Sequence, residues 1–170
     1  MESVNPRPKG LFILLLLTFF NTGSSIFFGL LTVLFLRPTE VELKKEKLEM
    51  AKSIIEIKEL GMDSLATLLE KVQGMTDVLN HHFLGVNLVN IGVCLLGGVS
   101  AFFMLQRNHL GFHGYIIYNL LASINVYFFV SPSMVPTVIL IVNLLVSLVF
   151  ILLYAKHLPW MRGSSNTDSI

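Results

Sequence analysis

Apolar positions fall into four long runs, Leu11 to Leu36, Phe83 to Leu105, about Leu110 to Val130, and Val135 to Tyr154, and none of them holds an Asp, Glu, Lys or Arg. A helix rising ~1.5 Å per residue needs ~20 residues to cross a hydrocarbon core of ~30 Å, a length each run meets or approaches. The pattern predicts an all-α integral membrane protein with four transmembrane helices at 11–36, 83–105, 110–130 and 135–154. These lie between an N-terminal tail, 1–10, and a C-terminal tail, 155–170. The first run has features of a secretory signal, with Arg7 and Lys9 ahead of it and the small residues Thr22, Gly23, Ser24 and Ser25 inside it. The apolar sequence resumes after them as far as Leu36, so it reads as an uncleaved anchor.

Polar residues concentrate between the first two runs. Segment 37–82 reads as an extramembrane helical hairpin with its turn near residue 61. Pro38 stops the first span, and Thr39 stands three residues before Glu42 in capping-box order. Glu40 with Lys44, Lys45 with Glu49, and Lys52 with Glu56 are spaced to pair along one helix. Gly61 is the expected break, with Asp63 or Ser64 capping the next helix. Leu65, Leu68, Val72, Met75 and Leu79 alternate steps of three and four, the seam of a helix packed lengthwise on another. Leu43, Met50, Ala51, Ile54 and Ile57 offer the partner face. No strong breaker follows, so one helix is expected from about Ser64 through the second span to Leu105. A solvated helix pair lying along the membrane surface satisfies the same pattern.

Polar groups inside the spans are amides and hydroxyls. Asn21, Asn87, Asn90, Asn119, Asn125 and Asn143 are the candidate polar interior. Asn119 with Ser123, and Asn143 with Ser147, share helical faces at spacing four. Their expected use is interhelical hydrogen bonding; lining a path for a small solute is the alternative. Ser25 with Gly29 and Gly97 with Ala101 are spaced for close helix approach, either between the first two spans or across a homodimer face. Tyr154, Lys156, His157 and Trp160 read as anchors where the last span leaves the bilayer. The Ser- and Asn-rich end, 163–170, reads as disordered.

The composition agrees: 54% hydrophobic residues with a mean hydropathy of +0.72 are too apolar for a soluble domain of this size. The net charge of +1 gives no general attraction to nucleic acid. Cys94 stands alone, which excludes an internal disulfide and a cysteine-based metal cluster. His81 and His82 precede the second span and His109 and His113 follow it, so the two pairs lie ~30 Å apart on opposite membrane faces. Neither pair has the ligands to make a metal site alone. No phosphate loop, HExxH or GxSxG motif is present, and the spans hold no acid or base, so neither an enzyme nor a cofactor is expected.

Residues 97–115, running from Gly97 through Gln106-Arg107-Asn108-His109 into Gly111-Phe112-His113-Gly114-Tyr115, resemble the central turn of small uncharacterised four-span bacterial inner-membrane proteins. In those, a basic turn followed by Gly-Phe-x-x-Tyr recurs, with a denser run of Lys than the one at 106–109. The resemblance implies that architecture and a cytoplasmic side for Arg107, with no known activity. Small multidrug resistance transporters are similar in size and span count, but their coupling depends on a carboxylate in the first helix, and 11–36 has none. Placing Arg7, Lys9, Arg107, Lys156 and Arg162 together inside puts every short basic segment on one side. Both termini are then cytoplasmic and the hairpin is outside. The expected role is non-catalytic: interaction within the lipid bilayer, by self-association or with a membrane-protein partner, through the hairpin and the small-residue faces. A channel or transporter lined by the asparagines is the alternative.

Overall fold

A computed structural model describes residues 8–162, and every regular element among them is helical. The helices are α1 (Lys9–Phe35), α2 (Glu40–Glu59), α3 (Asp63–His81), α4 (Phe83–Leu105), α5 (Leu110–Ile124), α6 (Thr137–Ala155) and the short α7 (Leu158–Arg162), with a 3-10 turn at Asn125–Phe128 after α5. Three of them, α1, α4 and α6, are long and apolar enough to cross a membrane. The expected disordered end, 163–170, lies outside the described residues.

Helix α2 begins with the capping box: Thr39 Oγ1 accepts from the Glu42 backbone N–H at 3.3 Å, and the Glu42 carboxylate accepts from the Thr39 N–H at 2.8 Å. The Thr39 N–H, and after it the Thr39 hydroxyl, which also donates to that carboxylate at 2.8 Å, hold the Glu42 carboxyl below its ordinary pKa. At its far end the Gly61 N–H donates to Lys58 O and the Met62 N–H to Ile57 O, a Schellman turn closed by Gly61 at φ +74°. Helix α3 starts one residue before Ser64, with Met62 at the cap position and no side-chain capping bond; Asp63 and Ser64 do not cap it. The turn delivers Met62 directly, and the Ala66 N–H is satisfied by the Met62 carbonyl at 3.1 Å.

The two helices run antiparallel. Lys58 reaches Glu70 at 2.7 Å and Lys47 reaches Asp77 at 2.6 Å, and Glu70 raises the pKa of the Lys58 ammonium through that bond. Of the pairs expected along α2, Lys45 and Glu49 approach to 3.9 Å. The non-exposed residues of α2 are Leu43, Met50, Ala51, Ile54 and Ile57.

Residues 64–105 do not form one helix. His82 departs from helical geometry at φ −97°, ψ 25°, although its N–H still bonds Val78 O and its carbonyl accepts from Val86. Helix α3 packs on α2, whereas α4 packs on α1 and α5. The one-residue irregularity lets each half follow its own neighbour, and there the His82 ring lies 5.9 Å from Phe129.

The bundle proper is ordered α1, α4, α5, α6. Glycines set its tightest contacts. A Cβ at Gly111 would fall 2.5 Å from the Met104 nitrogen and the Ser100 carbonyl oxygen, and one at Gly97 would fall 2.8 Å from the Tyr118 ring. A Cβ at Gly29 would meet the Ile91 side chain at 2.9 Å. Small residues thus serve contacts within the chain, α1 on α4 and α4 on α5. The third apolar run, 110–130, is not one uniform α-helix. Its α-helical part has 15 residues and passes after Ile124 into a tighter 3-10 turn, which brings Phe129 against the start of α4, where a Cβ at Gly85 would lie 3.0 Å from the ring.

Candidate functional site: a polar cleft between α1 and α6

Several polar side chains in the apolar helices bond to their own helix. Thr22 donates to Thr18 O at 2.8 Å, Ser100 to Leu96 O at 2.7 Å, Ser123 to Asn119 O at 2.9 Å, Asn87 to Phe83 O at 2.8 Å and Asn119 to Tyr115 O at 2.8 Å. Return to the carbonyl four residues back satisfies a hydroxyl or amide without a second helix. Helix-to-helix bonding through these groups is therefore sparser than the amide pattern suggests, and it relies on tyrosine. Thr18 and the Tyr154 hydroxyl are 2.8 Å apart, Asn21 donates to the Tyr118 hydroxyl at 3.4 Å, and Ser123 and Ser147 are 3.2 Å apart.

Tyr154 is not an interfacial anchor. It is fully buried, its ring 4.5 Å from that of Tyr115, in a core cluster that also holds Met161 of α7. Trp160 takes up the Arg107 guanidinium 4.5 Å above its ring. His157 packs over Gly10 at the start of α1, and partial burial with Lys156 beside it lowers its pKa. The starts of α1 and α5 and the ends of α4 and α6 therefore gather at one end of the bundle.

One side of this bundle is open. Helix α6 lies along α5 but meets α1 near the Thr18–Tyr154 bond, and it is the least buried of the three long apolar helices. Between α1 and α6, floored by α5, is a cleft of about 540 Å³. Thr18, Asn21 and Ser24 line it from α1, Tyr115, Tyr118, Asn119 and Ser123 from α5, and Asn143 and Ser147 from α6, with Leu17, Phe20, Val146 and Phe150 as apolar walls. Among the described residues, no Asp, Glu, Lys, Arg or His borders it.

The six candidate asparagines divide into two sets. Asn21, Asn119 and Asn143 border this cleft, whereas Asn87, Asn90 and Asn125 border a smaller recess of about 180 Å³ beneath Leu79, among α3, α4 and the 3-10 turn. The two hollows share no lining residue. Asn21 and Asn143 are exposed on the α1 and α6 sides of the cleft, the first near the middle of its helix and the second at the seventh of the 19 residues of α6. The Asn143 amide has no hydrogen-bond partner among the described residues.

Outside the bundle, the five seam positions of α3 are placed as follows. Leu68, Val72, Met75 and Leu79 are half-buried and Leu65 is 40% exposed. The fully buried residue of α3 is Ala66, and the side chains that reach α2 include Glu70, Gln73 and Asp77. The His81 and His82 rings meet edge to face at 5.1 Å, and His109 and His113 at 6.1 Å. Among the described residues, no three His, Cys, Asp or Glu come together as a metal site.

The tyrosines are what sequence reading missed. Tyr115 and Tyr118 are three apart on the face that carries Asn119, a spacing that could have been read as polar lining. Nothing local in the sequence marks Tyr154 as buried. No family model, no curated protein and no solved structure matches the chain.

Proposed function

We propose that the chain is a non-catalytic, four-span membrane protein that acts by binding another membrane protein or a second copy of itself, through an α2–α3 hairpin standing outside the bilayer. The fourth span is α5 with its 3-10 turn, whose 15 and 4 residues rise ~22 Å and ~8 Å. The observation that carries the reading is an apolar ridge on a charged helix. Val41, Leu48 and Ile55 repeat every seven residues along α2 and are 77%, 57% and 57% exposed, on the side away from Ile54 and its neighbours. Such a ridge on an otherwise polar helix pair is the pattern of an unfilled helix-packing seam.

A photo-crosslinking residue at Leu48 in intact membranes tests this. The expected result is a discrete higher-mass adduct that disappears when Val41 and Ile55 are both replaced by Glu, with a doubled mass marking a second copy. A strictly monomeric protein with no adduct overturns the reading. Orientation is tested separately by labelling Ser53→Cys in a Cys94→Ser background with an impermeant reagent. Labelling on intact cells supports an outside hairpin and cytoplasmic termini; labelling only after lysis refutes it.

The solute-path alternative draws on the two asparagine-bordered hollows. Its weakness is that they share no lining residue, and Tyr115, Tyr118 and Tyr154 occupy the bundle core. Vesicle flux that falls on replacing Asn90 and Asn125 together with Leu would revive it.

A further inference from the structure

We propose that the cleft between α1 and α6 is a binding site for an uncharged, membrane-dissolved molecule carrying a hydroxyl or carbonyl oxygen. Four observations lead there. The cleft, about 540 Å³, has the size of a small-molecule site. Its walls are apolar and aromatic, while its polar groups are all neutral. Because no cation among the described residues borders it, they offer nothing to a phosphate headgroup, and because no anion does, nothing to an ammonium. Two amides, Asn21 and Asn143, stand at its rims with spare hydrogen-bonding capacity, the first tied by one long bond of 3.4 Å and the second by none among the described residues.

Their depth makes those amides informative. Asn21 lies near the middle of α1 and Asn143 is the seventh of the 19 residues of α6, inside apolar runs where hydrocarbon supplies no hydrogen bonds and an unmet amide is costly. The other amide on the wall, Asn119, returns its N–H to its own helix. An occupant that brings a neutral oxygen accepts from Asn143 and Asn21 and lays its hydrocarbon against Phe20, Leu17 and Phe150. Entry is sideways, between α1 and α6, where the two helices are apart. The site is independent of the hairpin reading, which concerns another surface.

The test uses the full-length protein in phosphatidylcholine nanodiscs and a diacylglycerol analogue with a diazirine in its tail. The expected result is labelling of peptides covering residues 17–24 and 143–150. Labelling falls at least fivefold in Asn21→Leu/Asn143→Leu, is largely kept in Asn143→Gln, and is unchanged in Leu145→Ala, which alters the opposite side of α6. Competition by unlabelled diacylglycerol marks a hydroxyl-bearing lipid as the source; stronger competition by decylubiquinone marks a ring carbonyl. Three outcomes overturn the proposal: equal labelling by the matching phosphatidylcholine analogue, undiminished labelling of the double Leu variant, or disulfide-linked dimers of Asn143→Cys in a Cys94→Ser background, which would show a second copy filling the cleft.

Discussion

Two antiparallel helix pairs in this chain are joined by the same turn and held together by opposite means. Between α2 and α3, the N–H groups of Gly61 and Met62 close a Schellman turn; between α4 and α5, the Arg107 N–H donates to Met104 O and the Asn108 N–H to Phe103 O in the same pattern. The left-handed residue is glycine in one and arginine in the other, at φ +74° and +63°. A Cβ at Gly61 would meet nothing within 4 Å, so the glycine is there for its backbone. Arg107 accepts the disfavoured geometry while its guanidinium rests on Trp160. The α2–α3 pair is fastened by exposed ion pairs and a thin apolar face, whereas in α4–α5 backbone lies against glycine. On the four-span arrangement proposed above, the α2–α3 pair in water gains from hiding any apolar surface, but between α4 and α5 in lipid that gain vanishes and close fit must replace it.

The comparison is broken most severely at Gly111. Gly111→Ala forces a Cβ into backbone atoms of α4, and a loss of about 3 kcal/mol, read as a lowered unfolding midpoint in detergent, is expected. Gly92→Ala is the control, since nothing lies within 4 Å of its Cβ; it should stabilise by roughly 0.5 kcal/mol. A loss under 1 kcal/mol at Gly111 would mean that α4 and α5 are farther apart than described.

Next in size is Gly61→Ala, expected to cost about 1 kcal/mol in the hairpin alone through its positive φ. Hydrogen exchange should rise in α2 and α3 and stay unchanged in α4 to α6; a global change would contradict the separation of the two pairs.

Arg107→Gly should sit near zero. Relief of the left-handed strain, about 1 kcal/mol, offsets loss of a cation–π contact of similar size. The readout is the emission of Trp160, the single tryptophan of the chain. It should shift in Arg107→Gly with little change in stability, and an unaltered spectrum would remove the arginine from the ring.

Smallest are the exposed charges. Lys47→Ala should cost under about 0.5 kcal/mol, less still in high salt, because its pair with Asp77 is solvated. Glu42 adds a pH signature. Its folded pKa is lowered, so its contribution to α2 is present above the unfolded carboxylate value and is lost as pH falls through the folded one. His157 is also lowered, by burial and by Lys156, so its resistance to protonation weakens the closed end as pH falls through its unfolded value toward its folded one. Helicity in acid titration should lose the low-pH step in Glu42→Gln, and Trp160 emission should lose the near-neutral step in His157→Phe.

Local signals were legible wherever a residue acts on its own backbone. Thr39 and Glu42 announce their cap three residues apart, Gly61 announces a positive φ, and Leu43, Met50, Ala51, Ile54 and Ile57 announce the inward side of α2. Long-range signals were not. His82 interrupts a run that local propensity would continue, because its two sides answer to different neighbours. In α3 the apolar repeat marks half-buried positions from Leu68 onward, whereas the side-chain bonds to α2 come from the polar residues Glu70, Gln73 and Asp77, which share the face of Ala66.

From the sequence alone came an all-helical chain with charge-free runs of membrane length, since helix length, apolar composition and capping chemistry are properties of neighbouring residues. The division of the asparagines into two hollows, the burial of Tyr154 in a cluster with Tyr115 and Met161, the left-handed Arg107 held by Trp160, and the open side between α1 and α6 were decided only by tertiary structure. Each depends on residues dozens of positions apart meeting in space, and an uncharged helix face carries no local mark of which neighbour, or which ligand, will cover it.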